Sequence, residues 1–404
     1  MATTNAHQEL LTRAVEDVVP RKLAEEKLKN GKPMRLYLGI DPTGAKLHIG
    51  HSVPLRKLKA FQDAGHHIIF LIGSFTAMIG DPSGRDKMRE PLTLDDTKRN
   101  FETYKEQAGK ILDFNKVELR FNHEWLEKLG FNDIIKLASN FTVQQMLERD
   151  MFQKRIKDGN PISMHEFFYP LMVGYDSVVL DVDCELGGND QLFNMLAGRT
   201  LQTAMGKRDK FVLTTKLIEG TDGRKMSKTY DNCIWLEDSA KDMYGKTMSI
   251  KDELILSYME CCTDMPISEI DTARKELAKG ANPRDIKMRL ARELVTIYHD
   301  ADSATHAEQE FKNVFAKGDM PEDIPEIKVN EEISIIDGLA LHKIVASKSE
   351  ARRLIEQGAV KIGETTITSL QSTFGEEFAK HSLGNDAVFK IGKRRFVKFK
   401  IPKI

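Results

Sequence analysis

Apolar residues recur at helical spacing through the first thirty positions, where Leu10, Leu11, Ala14, Val18, Leu23 and Leu28 fall on one face. The pattern predicts an amphipathic helix from Ala6 to Lys29, ended by Asn30-Gly31. Beyond it, short apolar runs alternate with longer helix-period stretches. Strand-like segments are expected at Arg35–Ile40, His67–Ile72, Lys116–Phe121, Val182–Leu186 and Phe211–Thr214, with helices starting at Gly50, Leu94 and Asp190 among others. That alternation predicts an α/β fold, a doubly wound parallel sheet with helices on both faces. Ligands of such sheets bind at the carboxyl ends of the strands, so the loops after these runs are the places to look for chemistry. From Ser239 to about Phe315 only helical spacing survives, through Ile250–Met259, Ile286–Ile297 and Ala307–Phe315. The acidic, proline-bearing stretch Lys317–Glu326 reads as a linker. Past Asn330, short helix-like and strand-like segments make a small α+β module. The expected division is residues 1–238, a helical domain at 239–316, a linker at 317–334 and a C-terminal module at 335–404.

Length agrees with several domains, since 404 residues exceed what one core comfortably covers. A hydrophobic fraction of 41% with 30% charged residues describes a globular chain with a highly charged surface. The net charge of -1 hides an asymmetry. From Leu341 onward basic side chains outnumber acidic ones about two to one, ending in Lys390, Lys393, Arg394, Arg395, Lys398, Lys400 and Lys403. Such a segment suits an acidic partner, and equally a solubilising face. Cys184, Cys233, Cys261 and Cys262 have neither the number nor the spacing of a disulfide framework or a zinc site, which favours a reducing compartment. Met1–Glu9 lacks a basic stretch followed by an apolar core, and no apolar run is long enough to span a bilayer. The expectation is a cytoplasmic protein without a membrane partner.

Two short segments carry the most specific chemistry: His48-Ile49-Gly50-His51, at the start of a predicted helix just after a strand, and Lys225-Met226-Ser227-Lys228-Thr229, in a loop flanked by Gly220 and Gly223. The first places imidazoles where free backbone N–H groups favour phosphate. The second places two lysines on a loop suited to closing positive charge over a departing pyrophosphate. Together they point to ATP. Thr43 and His48 are suited to donate to a phosphoryl group, His51 to touch ribose or phosphate, and Gly50 to let a flat ring approach the backbone. Gly80-Asp81-Pro82-Ser83-Gly84 follows another strand and leads to the cations Arg85 and Arg89; its acid suits an ammonium, although alone the loop reads as an ordinary turn. Gly187-Gly188-Asn189-Asp190-Gln191 again joins strand to helix, with an amide and a carboxylate suited to ribose hydroxyls and a polar ligand, or to a capping turn. Asp176 interrupts the mostly apolar stretch Phe167–Ser177. Buried, it needs a partner, and pairing with a ligand hydroxyl and with Tyr37 would make it discriminating.

In order and spacing these segments resemble the class I aminoacyl-tRNA synthetases, and over nearly the whole chain the tyrosyl-tRNA synthetase family of the bacterial kind with a compact C-terminal module. The resemblance implies a Rossmann-like catalytic domain. In it Tyr37 and Asp176 read a phenolic hydroxyl, Asp81 and Tyr169 hold the tyrosine ammonium, and Gln191 lies near the carboxyl end. It implies that Gly39, Asp41, Gly50, Gly188, Asp190, Met226 and Ser227 line the adenylate side, that Thr43 and His48 bind the ATP γ-phosphate, and that Arg85, Arg89, Lys225 and Lys228 assist pyrophosphate departure. Val173 stands where the family usually has a glutamine near the amino group, and Thr229 where it usually has a serine. The helical region resembles an anticodon-recognition domain. The stretch Ser347–Val360 is similar to an S4-like RNA-binding module, in which Lys348, Arg352 and Arg353 at helical spacing make a cationic face for RNA phosphates. The implied partners are tRNA(Tyr), L-tyrosine and ATP accompanied by Mg2+, with no tightly bound protein-liganded metal, and the implied assembly is a homodimer. Rival readings are a tryptophan-specific synthetase and a non-catalytic RNA-binding protein on the same fold.

Overall fold

Strands buried on both faces read as continuous runs of Ile, Leu, Val and Phe, and such runs build the centre of this molecule. The structure is a computed structural model; it describes residues 9–42, 44, 46–81, 92–227, 230–316, 324–363, 365–381, 386–392 and 395–402. By its internal contacts the chain divides into two units, Met1–Glu308 and Gln309–Ile404. In the first, β1 (Val15–Val19), β2 (Arg35–Ile40), β3 (His67–Ile72), β4 (Val117–Phe121), β5 (Cys184–Gly188) and β6 (Phe211–Thr215) form one sheet in the order β1-β6-β5-β2-β3-β4. All neighbours are parallel except β1, which runs antiparallel to β6 at the edge. Leu36, Ile68, Ile69, Phe70, Phe211 and Leu213 are wholly buried in it.

Strand order reverses between β2 and β5. The chain leaves β2 through the helix Ile49–Asp63 to reach β3 on one side, and leaves β5 through the helix Leu192–Ala204 to reach β6 on the other. The two connections diverge, so a crevice opens at the carboxyl ends of β2 and β5. Their register sets Tyr37 beside Glu185.

The helix expected from Ala6 to Lys29 is not continuous. Val15–Val19 is a strand, and Arg21–Lys29 is a separate helix after it. Pro20 has no N–H and pushes the residue before it toward extended backbone, and it stands as the N-cap of the helix that follows rather than inside a longer one. The β-branched Val15, Val18 and Val19 pair with the open edge of β6 instead. The spacing of Leu10, Leu11, Ala14 and Val18 reported burial, which all four share, rather than helix.

Helices Ala240–Met248, Ile255–Cys262, Ile267–Ala278, Pro283–Tyr298 and Ala301–Ala316 follow, as the spacing predicted. Ile255–Cys262 packs on the helix Ile49–Asp63, and residues up to Glu308 belong to the same unit as the sheet. The second unit holds a sheet ordered β7 (Glu326–Lys328), β11 (Arg395–Lys400), β10 (Asp386–Ile391), β8 (Val360–Ile362) and β9 (Thr365–Thr366). Phe374, Phe389 and Phe399 form its core, with ring centroids 4.7 Å apart for Phe374–Phe399 and 5.0 Å for Phe389–Phe399. Within the segment expected as linker, Glu326–Lys328 joins this sheet parallel to β11 and Ile327 packs on its core; residues 317–323 lie outside the described residues.

Helices Met164–Leu180 and Leu192–Ala204 wall the crevice and touch at Gly174, where an added Cβ would sit 2.7 Å from Leu201 Cδ1 and 3.3 Å from the Ala197 main chain. Gly174→Ala should therefore lower stability by about 1–3 kcal/mol through overpacking. The check is the urea midpoint at unchanged slope; an unchanged midpoint would mean that Leu201 moves aside freely.

Candidate active site

The crevice deepens into a pocket whose floor is polar although its walls are buried. Asp176, on the helix Met164–Leu180, is only 2% exposed. Trp125 Nε1 donates to its Oδ1 at 2.7 Å and Asn122 Nδ2 to its Oδ2 at 3.2 Å. Burial pushes its carboxyl well above the usual carboxylate range, and those two donors oppose the shift. Tyr37 enters from β2, and its hydroxyl lies 2.9 Å from Ser177 Oγ. The expected direct pairing of Tyr37 with Asp176 is therefore not made. The register of β2 on β5 draws the phenol toward Ser177 and Glu185, while Asp176 is held from β4's side, and both line the pocket.

The rim carries acids. Thr76 Oγ1 donates to Asp41 Oδ1 at 2.7 Å, and the Tyr169 hydroxyl donates to Asp41 Oδ2 at 2.8 Å. A Cβ on Gly73 would fall 1.9 Å from Asp41 Oδ1, so only glycine leaves room for this arrangement. Asp81 accepts from Gln191 Nε2 at 2.8 Å. Asp41 and Tyr169 thus share the lining of the pocket with Gly39 and Val173. Gly39 is exposed at the end of β2.

His48 caps the helix Ile49–Asp63. Its backbone N–H donates to His51 Nδ1 at 3.1 Å, and the two rings lie 3.8 Å apart. Burial lowers His48 to about 3, with the neighbouring His51 adding to the shift, and lowers His51 to about 4. Both imidazoles are neutral at pH 7 and can serve as donors, not as cations. The close approach expected at Gly50 is made by His48's own ring and by the second motif: an added Cβ would lie 2.9 Å from His48 Nδ1 and 3.3 Å from Met226 Sδ. Backbone bonds reinforce this junction, Ile49 N donating to Ile234 O at 2.8 Å and Leu236 N to Leu47 O at 2.9 Å. Asn232 organises the second loop: its Nδ2 donates to Asp222 Oδ1 at 2.8 Å and to Lys225 O at 3.1 Å, and its Oδ1 accepts from Ser227 N at 2.9 Å. Asp190 is raised by burial and by Asp81, and Lys225 opposes that shift, so Lys225 acts electrostatically on Asp190. A Cβ on Gly188 would lie 2.8 Å from Asp190 Oδ1, so a side chain there would displace the acid. Thr43, Arg85, Arg89 and Lys228 lie outside the described residues.

Sequence reasoning missed Asn122, Trp125, Thr76, Ser177, Glu185 and Arg149. Asn122 and Trp125 follow β4 immediately, and the rule that singled out the loops after β2, β3 and β5 would have found them. Buried Arg149 has no such signal; it lies over Phe152 and Phe193, 5.4 and 4.8 Å from their centroids, and burial lowers it to about 10. A larger cavity of about 680 Å3, bordered by Arg13, Val53, Lys57 and Glu260, contains none of the motif residues. Among the described residues no group of His, Cys, Asp or Glu is placed to hold a metal, and no helix is long and apolar enough to cross a membrane. In the second unit, Ser347 Oγ accepts from Glu350 N and so caps the helix Lys348–Glu356. Lys348 Nζ is 2.7 Å from Asp337 Oδ1, and Arg352 and Arg353 are exposed.

Residues 29–316 match a family model described as tRNA synthetases class I (W and Y), and residues 316–399 match one described as the tyrosine-tRNA ligase SYY-like C-terminal domain. Over 402 residues the chain is 46% identical to tyrosine-tRNA ligase 2 of Vibrio cholerae, covering 99% of this chain and 100% of that protein. The chain belongs to the tyrosine-tRNA ligase family. A second member, tyrosine-tRNA ligase 2 of Clostridium acetobutylicum, is 47% identical over 96% of this chain and 97% of its own length. The fold of the family's solved structures is shared too: a C-terminally truncated mitochondrial tyrosyl-tRNA synthetase of Aspergillus nidulans superposes with a TM-score of 0.63 at 24% identity, covering 78% of this chain and 99% of that one.

The lowered imidazoles give a signed pH dependence. Unfolded histidines titrate near 6.5, so between about pH 6.5 and 4 the unfolded chain takes up protons that folded His48 and His51 refuse. Stability should fall as the pH drops through that window and be insensitive to these two groups above it. His51→Asn should flatten the acid slope of the urea midpoint; a slope equal to wild type would remove His51 as its source.

Proposed function

We propose that this chain is a tyrosine-tRNA ligase: it activates L-tyrosine with ATP to tyrosyl-adenylate and pyrophosphate, then transfers the tyrosyl group to the 3'-terminal adenosine of tRNA(Tyr). The observation that carries the reading is the polar floor of Tyr37 and Asp176 in a pocket at the strand-order switch that Asp41, Tyr169 and Gln191 also line. Tyr37 and Asp176 bind the phenolic hydroxyl. When that hydroxyl is missing, their buried polar atoms are left unpaired, and tyrosine against phenylalanine is the usual illustration of that principle. Asp81 and Tyr169, with Asp41 behind the Tyr169 hydroxyl, hold the ammonium, and Gln191 lies toward the carboxyl end. Tyrosine is thereby fixed with its carboxylate toward the nucleotide side, where Gly39, Gly50, Gly188, Asp190, Met226 and Ser227 border adenosine and ribose.

Activation is in-line displacement at the α-phosphorus. A tyrosine carboxylate oxygen forms the new P–O bond as the bond to pyrophosphate breaks. No covalent enzyme intermediate is needed, so the protein acts by placement and by charge. Thr43 and neutral His48 donate to the γ-phosphate, His51 supports His48, and Arg85, Arg89, Lys225 and Lys228 receive the departing pyrophosphate. Mg2+ arrives with ATP, on phosphate oxygens and water. In the second step a terminal ribose hydroxyl attacks the tyrosyl carbonyl and AMP leaves. Lys348, Arg352 and Arg353 contact tRNA phosphates, the helical region 239–316 contributes anticodon recognition, and the cytoplasm is the compartment where these substrates meet.

The site is proposed to work in a homodimer. Phe131, Ile135, Val143, Ile156 and Met164 are 51–77% exposed on successive helices between residues 131 and 180, an apolar concentration that a second copy would cover. Ile135→Asp combined with Met164→Asp should convert a dimer to a monomer in sedimentation; a double variant that stays dimeric places the interface elsewhere.

Function is tested by amino-acid-dependent exchange of pyrophosphate into ATP, run separately with tyrosine, tryptophan and phenylalanine. Exchange with tyrosine alone is expected, and Asp176→Ala should lower the preference for tyrosine over phenylalanine by at least about tenfold. Exchange with tryptophan alone would make the chain a tryptophan enzyme, and none with any amino acid would leave only RNA binding.

A further inference from the structure

The cavity of about 680 Å3 lies within the first unit and takes no part in the reaction described above. Three cations line it: Arg13 from the N-terminal segment, and Arg56 and Lys57 from the helix Ile49–Asp63. Two of them are deep, Lys57 being 5% exposed and the Arg56 side chain 11%. The carboxylates of the same lining reach outward instead. The Asp63 and Asp264 side chains are 61% and 81% exposed, and Glu9 is exposed as well. Asp63 is held by Lys59, whose Nζ donates to both its oxygens at 2.7 Å. Glu260 is committed too: Lys216 Nζ donates to its two oxygens at 2.9 and 3.0 Å, and Ala14 N donates to Oε1 at 2.9 Å. Asp264 pairs with Arg56 from the solvent side.

Among the described residues these cations keep donors to spare. Lys57 Nζ donates to Glu9 O at 3.1 Å and Leu10 O at 3.2 Å, which uses two of its three protons. Arg13 Nε and Nη2 donate to Glu260 O at 3.2 Å and Thr263 O at 2.7 Å, which uses two of its five. Carbonyls satisfy protons without cancelling charge, so Arg13 still repels both Arg56 and Lys57. Burial lowers Arg13 and Arg56 adds to the shift; burial lowers Lys57 to about 8 and Arg13 adds to it, while Glu9 and Glu260 oppose both shifts without reversing them. The cluster lacks an anion with several oxygens on one centre, the partner that guanidinium and ammonium groups bind best. Ligand pockets run from about 300 to 1,000 Å3, so there is room for an organic group as well. We propose that this cavity is a binding site for a phosphate group, free or on a small ester, with Arg13 and Lys57 donating to its oxygens and Arg56 adding charge. The inference goes beyond the tyrosine-tRNA ligase reading and does not rest on it, since the two pockets share no residue.

The test is calorimetric titration of the full chain with sulfate, inorganic phosphate and glycerol phosphate at constant ionic strength. Sulfate is the cleanest probe, because it does not titrate near neutral pH. Saturable binding is expected, weakened at least about tenfold by Arg13→Gln and by Lys57→Met, as for loss of a hydrogen bond to a charged group. Binding should also take up a proton. An anion beside Lys57 raises its pKa again, so above about pH 8 sulfate binds together with a proton and binds more weakly as the pH rises further. Facing Lys57 are Glu9 and Arg13 of the N-terminal segment and Glu260 and Cys261 of the helix Ile255–Cys262; burial pushes the Cys261 thiol up to about 11, which separates its titration from that of Lys57. Binding heats in buffers of different protonation enthalpy count the proton, and Lys57→Met should abolish its uptake. If Lys57→Met fails to fold, the half-buried Arg13→Gln decides. Glycerol phosphate binding tighter than phosphate would mark the site as one for an ester, and equal or weaker binding as one for the free anion. No saturable binding of any of the three, binding that either folded variant leaves unchanged, or sulfate binding without proton uptake in the wild type would overturn the proposal.

Discussion

The structure depends on keeping a carboxyl group dry. Asp176 is almost wholly buried, and a bare carboxylate there would cost several kcal/mol. Trp125 and Asn122 offset that cost from one side. Everything that delivers these donors belongs to the fold's architecture: β4 ends so that Asn122 and Trp125 reach inward, the helix Met164–Leu180 carries Asp176, and the strand-order reversal opens the crevice between them. In the proposed function a ligand hydroxyl adds to these two hydrogen bonds. Selectivity and stability are therefore two readings of one desolvation problem.

A second constraint couples the nucleotide side to itself. Gly50 lets the His48 ring and the Met226 sulfur crowd one helix start, and the backbone after the lysine-bearing loop pairs with the residues around His48. The two motifs, far apart in sequence, are thus parts of one surface. Neutral imidazoles suit that surface. In the proposed reaction they would donate to phosphate without a permanent charge that would hold ground-state ATP as tightly as the transition state, and uniform binding of that sort would not raise the rate.

Much of this was legible in the sequence because the signals are local. Strands β2, β3, β4 and β6 lie within a residue of the apolar runs that foretold them, and the loops after β2, β3 and β5 hold Asp41, Asp81 and Asp190 where the strand-end rule put them. What was illegible depends on pairing between distant segments. The edge strand Val15–Val19 exists because β6 needs a neighbour, which helical spacing of the same apolar residues cannot reveal. Tyr37 and Asp176 were picked out by residue type, but their partners were set by register: Tyr37 beside Glu185 across the β2–β5 pair, and Asp176 against the turn after β4. Lys210 offered nothing in sequence to distinguish it from any surface lysine, and only burial against Glu185 gives it meaning.

The central claim is that the dry polar floor receives a phenol. A crystal structure of the full chain with L-tyrosine addresses it most directly. The account predicts the phenolic oxygen within hydrogen-bond distance of both the Tyr37 hydroxyl and the Asp176 carboxyl, with the ammonium against Asp81 and Tyr169. A ring bound outside this pocket, or an ammonium seated on Asp176, would contradict it.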